Sequence, residues 1–396
     1  MSNCRGCEQN TVSSLMDFGN QPIVHHLLKD PDEDYTGYPF ELGVCSNCAL
    51  MQIMQPISPD ILYENYFTIS TWKNQPHVQR LIQIIENLSG IDAQSKIFDI
   101  GCNDASFLKI LRDKGYKELH GIEPTQDAFK LAQGEGFENI INDFFNADKA
   151  EELYNKGEFD LVVTRHVLEH ITEIGSFLDG MHFALNDDGL LVIEIPDGSM
   201  HIEHLDYAFW EEHVNYFTLN SLRRILNLHG FDVVHHEITL FSGRCLTVFC
   251  QKGKDLQPSK AQDYELAQFQ YFGDMLEPFK KELRNFLQSF DLPVYIYGSG
   301  CRSNVFTNFT GIGDLITTYI DDQPEKQNFN VPGKDVLKMV PWEDVQDQDF
   351  VALLGVNTEN EYKVINKRGL KAEHTFSILP PSKHIPEFWT RMMPKK

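Results

Sequence analysis

The alternation of short apolar strands with helices between residues 96 and 195 is the feature that most limits how this chain can fold. Such alternation is typical of βαβ units whose strands form a parallel sheet. Two further strands, at 233–241 and 245–251, are expected to pair antiparallel and close that sheet. The sequence therefore predicts an α/β fold. The alternating elements are strands at 96–100, 118–123, 139–142, 159–164 and 190–195 and helices at 107–114, 127–135 and 174–185.

The 396 residues exceed what one typical core organises, so several domains are expected. Residues 1–75 contain paired cysteines and few apolar residues, which predicts a metal-binding segment. Residues 76–251 contain the alternating pattern, and 252–290 are polar and helix-prone. A second strand–turn–helix pattern predicts a smaller C-terminal α/β domain over 291–396.

Charge and hydropathy exclude several classes of partner. The net charge is −24 and no cluster of lysines and arginines offsets it, which argues against a nucleic-acid partner. The sequence contains no run of about 18 apolar residues, so no membrane-spanning helix is predicted. The first residues lack the pattern of a signal peptide, so we expect a cytoplasmic protein that acts on a small molecule.

Two Cys-x-x-Cys pairs, Cys4/Cys7 and Cys45/Cys48, dominate the N-terminal segment. Four thiolates from two such pairs can complete a tetrahedral zinc site with no position left for water. We therefore predict a structural zinc ion with a role in folding. The alternatives are four unpaired core cysteines or a redox pair, although neither pair opens a helix after a strand.

A turn of small and polar residues follows the first predicted core strand. Asp99, Gly101, Asn103 and Asp104 lie in this turn, and Glu123 ends the next strand. Glycine lets a ligand approach the backbone, and a carboxylate about 20 residues later can accept ribose hydroxyls. The loop is not a full G-x-G-x-x-G, so it suits a dinucleotide poorly. It resembles the first motif of class I methyltransferases, whereas another nucleotide-binding fold or a structural turn are the alternatives.

That resemblance implies where S-adenosylmethionine would bind. Class I enzymes cradle its methionine part at the first turn and hold its ribose with the next acidic residue. Asp143 and Phe144 follow the third core strand, where such folds place a carboxylate and an aromatic ring beside the adenine. His170 follows the fourth strand, at the edge where open α/β sheets bind ligands.

The order of zinc segment, methyltransferase core and C-terminal unit resembles the zinc-containing sugar C-methyltransferases. Those enzymes methylate a carbon beside the ketone of a 4-keto-deoxysugar carried on a nucleoside diphosphate. The resemblance covers nearly the whole chain. Its motifs are the residues at 99–104, Asp143-Phe-Phe145, Glu212-His213 with Tyr216-Phe217, and residues 319–327.

The resemblance implies roles for three residues. His213 would remove the proton beside the ketone, Glu212 would orient or charge His213, and His170 would lie near the substrate. An imidazole suits such a base because its pKa lies near neutral pH. The alternatives are buried, hydrogen-bonded histidines and a polar loop ahead of a helix capped by Thr218.

The sequence departs from the family at the substrate side. Trp210 and Thr68 stand where the family commonly has tyrosines, with Tyr66 beside Thr68, and Ala105 replaces a glycine of the cofactor loop. Loss of two phenols removes two hydrogen-bond donors. A methyltransferase of another acceptor, acting at nitrogen, oxygen or carbon, or a non-catalytic S-adenosylmethionine-binding homologue, therefore stays open as an alternative.

The C-terminal unit contains the turn Gly298-Ser-Gly300 between a predicted strand and a helix. In the family this region helps to bind the nucleotide, which makes Arg302 a candidate partner of the diphosphate. Asp321 or Asp322, after the next strand, would then meet a ribose. A tight turn in a structural domain is the alternative.

Overall fold

The N-terminal segment folds as an antiparallel meander. The computed structural model describes residues 2–62, 75, 77–254, 256–257 and 259–395. Neighbouring strands pair antiparallel from Val12 against Cys45 to Leu42 against Ile53. The elements of this segment are β1 (Val12–Pro22), β2 (Gly37–Cys45), β3 (Met51–Ile53) and helix α1 (Pro59–Leu62).

The central part of the chain is a seven-stranded sheet with helices packed on it. Its strand order is β6-β5-β4-β7-β8-β11-β10, parallel except that β11 lies antiparallel to both of its neighbours. The elements are α2 (Val78–Ser89), β4 (Lys96–Ile100), α3 (Ser106–Asp113), β5 (Glu118–Ile122), α4 (Gln126–Gly134), β6 (Ile140–Ile141), α5 (Ala147–Leu153), β7 (Phe159–Arg165), α6 (Ile174–Ala184), β8 (Leu185–Pro196), α7 (Ser199–His204), β9 (Asn215–Tyr216), α8 (Leu219–Leu228), β10 (Phe231–Thr239) and β11 (Cys245–Lys252).

The predicted α/β sheet and its closing antiparallel pair are confirmed. The central strands β4, β7, β8 and β11 are buried on both faces, which explains why their apolar residues run nearly without interruption. Helix α8 begins where expected, because the Thr218 hydroxyl accepts the backbone N–H of Ser221 at 3.2 Å. The carboxyl ends of β4, β5 and β7 meet at one edge of this sheet.

Strand β9 joins the first sheet, not the second. It pairs with β3, through Met51 with Tyr216 and Gln52 with Asn215, so the first sheet has the order β1-β2-β3-β9. The N-terminal sheet is thus completed by residues far along the chain. No local pattern in a two-residue strand could predict this pairing.

The segment after the core forms two helices, α9 (Asp263–Asp274) and α10 (Leu276–Gln288). Phe269, Phe272 and Phe279 are buried in a core that also contains residues from the N-terminal and C-terminal parts of the chain. The segment predicted as a connector therefore packs as part of the protein interior. Within the described residues, no helix has the length and apolar character to cross a lipid bilayer.

The C-terminal part forms a six-stranded sheet in the order β14-β15-β13-β12-β16-β17. An isolated bridge between Leu28 and Asn330 joins the N-terminal segment to the edge of this sheet. Neighbouring strands of the six-stranded sheet pair in parallel, except that β14 and β15 are antiparallel. The elements are β12 (Val294–Tyr297), α11 (Cys301–Thr310), β13 (Ile316–Ile320), β14 (Asn330–Val331), β15 (Leu337–Val340), β16 (Val351–Leu354), α12 (Thr358–Arg368), β17 (Thr375–Ser377) and α13 (Glu387–Met392).

Candidate active site

The four cysteines of the N-terminal segment converge on one point. The sulfur atoms of Cys4 and Cys48 are 3.5 Å apart and those of Cys7 and Cys45 are 3.6 Å apart. All four sulfurs lie within 4.8 Å of one another, and all four residues are buried. A tetrahedral ion with Zn–S bonds of about 2.3 Å requires sulfur–sulfur distances of about 3.8 Å. The cluster therefore has the size and donor set of a zinc site.

Backbone and side-chain donors surround the same sulfurs. The N–H groups of Asn47 and Cys48 each lie 3.3 Å from the Cys45 sulfur, and the Asn47 amide lies 3.4 Å from the Cys7 sulfur. Such donors offset the negative charge of thiolates that bind a metal ion. The donor pattern supports the predicted structural metal site.

The turn after β4 is shaped around Gly101. This residue has φ +72°, and a Cβ atom there would clash with the side chain of Val167. Asn103 and Ala105 also have positive φ, of 50° and 60°. Only glycine adopts this region without cost, so three left-handed residues within five positions indicate a strained turn of the kind that clusters at functional sites.

The carboxylate of Glu123 ties this turn to the end of β5. Its Oε2 accepts the Asn103 N–H at 2.9 Å, and its Oε1 accepts the Thr125 N–H at 2.8 Å. The Asp104 carboxylate accepts the Ser106 N–H at 3.1 Å and so caps helix α3. The Glu123 Oε1 also accepts the Thr125 hydroxyl at 2.5 Å, so the second lone pair of Oε2 is the one that can still accept a ribose hydroxyl.

Asp99 lies buried beneath the same turn. Burial raises the pKa of its carboxyl group to about 7; Arg165 opposes this rise and Glu123 adds to it. Asp99 is thus a buried residue of β4 just before the turn, while Glu123 hydrogen-bonds to the turn through the Asn103 N–H. The predicted cofactor residues 99–104 and Glu123 therefore lie together.

Asp143 and Phe144 follow β6 on the surface beside Glu123. The Asn142 amide donates to the Glu123 carbonyl at 2.8 Å, which fixes the distance between the two segments. The Phe144 side chain is 69% exposed, whereas Phe145 packs in the core. The Asp143 carboxylate pairs with Lys149 at 2.8 Å.

Two histidines meet near the turn after β4. His170 ends the short helical turn Leu168–His170 after β7, next to Val167, which contacts Gly101. His213 lies in the loop between α7 and β9, and its ring centroid is 4.9 Å from that of His170. The His170 Nδ1 donates to the Glu212 carbonyl at 2.8 Å, because a carbonyl can only accept. The Nε2 of His170 therefore carries the free lone pair.

Burial lowers the pKa of both imidazoles. For His213 burial is the largest cause and the fixed positive charge of Arg302 acts in the same direction, so that its pKa lies well below the ordinary value. Both rings are therefore neutral at neutral pH. Neutral imidazoles at the carboxyl edge of a sheet can accept protons, which is a requirement for a general base.

The resemblance implied that the Glu212 carboxylate orients His213, but the structure places this carboxylate elsewhere. Instead, its Oε1 lies 3.4 Å from the Nδ1 of His25, a residue of the N-terminal segment. Glu211 Oε1 lies 3.6 Å from the same nitrogen and accepts the Val24 N–H at 2.9 Å. Burial raises the pKa of Glu212 to about 8; His25 opposes this rise and Glu211 adds to it. Glu212 acts on the histidine pair through its backbone, by way of His170.

Glu169 and His25 were not predicted to take part in the site. The Glu169 carboxylate is buried, and neither oxygen has a hydrogen-bond partner among the described residues. It lies within 4.8 Å of the His170 and His213 ring nitrogens and 3.6 Å from His166 Nδ1. Its place beside His170 in the 168–171 turn was the available sequence signal; His25 had none beyond its neighbour His26.

The Trp210 ring lies against His213, with 4.8 Å between ring centroids. Its indole N–H is buried and has no hydrogen-bond partner within the described part of the chain. The predicted substrate residue thus lies beside the histidine pair. Tyr66 and Thr68, predicted for the same side, lie outside the described residues.

Arg302 does not present a free guanidinium group to a diphosphate, contrary to prediction. Its Nη2 donates to Asp206 at 2.8 Å and to the Pro380 carbonyl at 3.0 Å. The Ser299 N–H of the neighbouring turn already donates to Asp321 at 2.9 Å. The glycine turn of the C-terminal unit is therefore internally hydrogen-bonded.

Three family models match successive parts of the chain. They are described as "Putative zinc binding domain" over residues 4–63, "Methyltransferase domain" over 72–236 and "C-methyltransferase C-terminal domain" over 257–379. Together they support a C-methyltransferase family that carries a zinc-binding domain. The chain thus has the domains of an S-adenosylmethionine-dependent methyltransferase, with that cofactor and zinc as its ligands.

Curated relatives agree over parts of the chain. C-methyltransferase NovU of Streptomyces niveus is 27% identical over 252 residues, which are 62% of this chain and 60% of that protein. Ubiquinone biosynthesis O-methyltransferase of Azorhizobium caulinodans is 29% identical over 99 residues, which are 25% of this chain and 39% of that protein. The chain thus spans less than two thirds of the length of either relative.

Solved structures are also similar to the chain in part. An S-adenosylmethionine-dependent methyltransferase from Archaeoglobus fulgidus has 17% identity and a TM-score of 0.38; the match covers 49% of this chain and 100% of that one. The 1,6-didemethyltoxoflavin-N1-methyltransferase of Burkholderia thailandensis has 15% identity and a TM-score of 0.39; the match covers 54% and 96% respectively.

Proposed function

We propose that the chain is an S-adenosylmethionine-dependent C-methyltransferase whose acceptor is a keto-deoxysugar carried on a nucleoside diphosphate. The observation that carries this proposal is the neutral pair His170 and His213 beside the cofactor turn. Bound S-adenosylmethionine supplies the electrophilic methyl group. A carbon acceptor needs a base to form its nucleophile, and the histidine pair provides one.

His213 is the base in this proposal. Its neutral ring takes the proton from the carbon beside the ketone, and the electrons of the broken C–H bond form the enolate. The ring is then an imidazolium, which burial alone would disfavour. The Glu169 carboxylate, which also lies 3.6 Å from His166 Nδ1, is close enough to stabilise that charge.

Trp210 supplies a donor for the enolate oxygen. Its buried indole N–H lacks a partner among the described residues, and its ring contacts His213. A fixed donor at a developing negative charge is worth about 3 kcal/mol or more in transition-state stabilisation. The indole would thus replace one of the two phenols that the related family has. Trp210→Phe should lower kcat about 100-fold, and Trp210→Tyr should recover part of it.

The remaining predicted residues have binding roles in the same proposal. Residues 99–104 would hold the methionine part of S-adenosylmethionine, Glu123 the ribose, and Asp143 with Phe144 the adenine. The four cysteines would hold a zinc ion needed for folding. The proposed division is 1–75 for the zinc segment, 76–251 for the core, 252–290 for the connector and 291–396 for the C-terminal domain.

The test is methyl transfer from labelled S-adenosylmethionine to a panel of nucleoside diphosphate 4-keto-deoxysugars, with NMR to locate the new methyl group. His213→Ala should reduce transfer by at least 100-fold while calorimetry shows unchanged affinity for S-adenosylhomocysteine. His236→Ala, on the exposed face of β10, is the matched control. Failure to methylate any keto sugar, with cofactor binding intact, would refute the acceptor.

A second candidate is transfer to oxygen or nitrogen of another small molecule. The substitution of Trp210 for a family tyrosine favours it, as does the similarity to an O-methyltransferase over part of the core. An acceptor hydroxyl would also need the histidine base but not an enolate donor. In that case Trp210→Phe would leave kcat nearly unchanged, and NMR would place the methyl group on a heteroatom.

A further inference from the structure

We propose that Arg5 and Asn215 are positioning residues that connect the zinc knuckle to the histidine pair. Arg5 lies between the cysteines Cys4 and Cys7, and Asn215 lies two residues after His213. The proposal rests on the proposed function only for its activity measurements. Its structural measurements stand independently of any acceptor.

Arg5 grips the backbone that follows His213. Its Nε donates to the Asn215 side-chain oxygen at 2.9 Å, and its Nη2 donates to the carbonyls of Val214 and Ile53. The Ile53 N–H also donates to the Val214 carbonyl at 3.0 Å. The residue next to His213 is thus held twice, once by the N-terminal sheet and once by the knuckle arginine.

Asn215 extends this connection to the other histidine. Its amide nitrogen donates to the Ile171 carbonyl at 2.7 Å and to the Leu168 carbonyl at 3.4 Å. These carbonyls flank Glu169 and His170. One buried amide therefore holds the turn that carries His170, while its oxygen is held by Arg5.

The backbone of the knuckle is fixed to the same strand pair. The Arg5 N–H donates to the Gln52 side-chain oxygen at 3.0 Å, and the Gln52 amide nitrogen donates to the Asn3 carbonyl at 3.3 Å. Gln52 is also the partner of Asn215 between β3 and β9. The knuckle, β9 and the 168–171 turn consequently form one hydrogen-bonded unit.

A charged donor that bridges three acceptors resists rotation more than a neutral contact does. The relative position of His170 and His213 depends on this unit, because the two rings come from segments 43 residues apart in the chain. Misplacing a reacting group by about 1 Å can reduce turnover about 100-fold. The zinc segment therefore has a second role beyond folding, which is to hold the base in place.

Hydrogen exchange on the zinc-loaded protein tests the connection without any acceptor. Arg5→Met and Asn215→Ala should each increase exchange at least tenfold in peptides covering 168–171 and 210–216, with one zinc ion retained per chain. Peptides from the C-terminal sheet should not change. Arg284→Met, which removes an exposed ion pair with Asp314, is the matched control. Unchanged exchange in both segments in Asn215→Ala, which leaves the knuckle intact, would overturn the proposal.

Steady-state kinetics with a keto-sugar nucleotide that the unmodified protein methylates test the positioning role. Each variant should lower kcat 10- to 100-fold, with acceptor KM and S-adenosylhomocysteine affinity changed less than threefold. In the Asn215→Ala background, Arg5→Met should have little further effect, because the two residues act through one contact. Independent, multiplicative losses would contradict the proposal. If the unmodified protein methylates nothing, the proposed function fails, whereas the exchange result still decides the role of Arg5.

Discussion

Replacing Glu212 by glutamine should stabilise the protein, and more so as the pH rises. The Glu212 carboxyl is 2% exposed and its pKa is raised from 4.5 to about 8, mainly by burial. Below its ordinary pKa both the folded and the unfolded chains are protonated, and the group contributes nothing. Between the two values the unfolded chain ionises while the folded chain keeps its proton. Folding therefore loses stability over this range as the pH increases.

The loss of folding free energy follows from the interval between the ordinary pKa of the carboxyl group and the pH of the experiment. Each pH unit above the ordinary pKa costs about 1.4 kcal/mol, so the wild-type penalty is about 3 kcal/mol at neutral pH. Glutamine resembles the protonated form and carries no such penalty. A chain of 396 residues that unfolds as one unit shifts by about 1.2 °C per kcal/mol. The melting temperature of Glu212→Gln relative to wild type should therefore rise by about 4 °C between about pH 5.5 and 8.

Differential scanning fluorimetry across this pH range provides the measurement. Glu194→Gln is the matched control with the opposite sign. Burial raises the pKa of Glu194, but Arg165, His166 and His77 outweigh it and bring the pKa well below the ordinary value. That variant should be destabilised at neutral pH. A Glu212→Gln difference that stays flat or falls with pH would refute the assignment of a protonated Glu212.

Three further predictions concern the metal site, the cofactor turn and the base. Cys45→Ser should lose zinc and aggregate, as metal analysis and size-exclusion chromatography would show; a zinc-free, fully active variant would contradict a structural ion. Gly101→Ala should weaken S-adenosylhomocysteine binding at least tenfold in calorimetry, because φ is +72° and Val167 fills the space of the new methyl group; unchanged affinity would contradict this account of the turn. The acid limb of kcat/KM should lie below the ordinary imidazole pKa of about 6.5, because burial and nearby positive charges lower the pKa of His213; a limb above that value would exclude His213 as the base.

Much of the site was predictable because it follows local rules. Strand β4 and the turn after it, at residues 96–104, are specified by an apolar run followed by glycine and small polar residues. The parallel sheet then brings that turn to the same edge as Glu123 and His170. The two Cys-x-x-Cys pairs likewise specify their own chemistry. In each case short spacing along the chain determined which atoms could meet.

The tertiary structure decided the parts that depend on pairing across long separations. The family resemblance implied that the Glu212 side chain lies at His213, but residues 211 and 212 form a turn before His213 and the carboxylate points elsewhere. The Glu212 carboxylate instead contacts His25, which lies 187 residues earlier in the chain. Arg302 was expected to bind a diphosphate, yet packing of the C-terminal unit on the core places Asp206 beside it.

The sequence by itself determined the fold class, the cysteine cluster and the cofactor turn, because each depends on neighbouring residues and on strand periodicity. Only the folded chain decided how the N-terminal sheet acquires β9, and thus how Arg5 and Asn215 hold the two histidines. A two-residue strand has no periodicity, and a hydrogen bond over 210 residues leaves no local trace. The hydrogen bond between Arg5 and Asn215 forms only when the intervening elements have packed together.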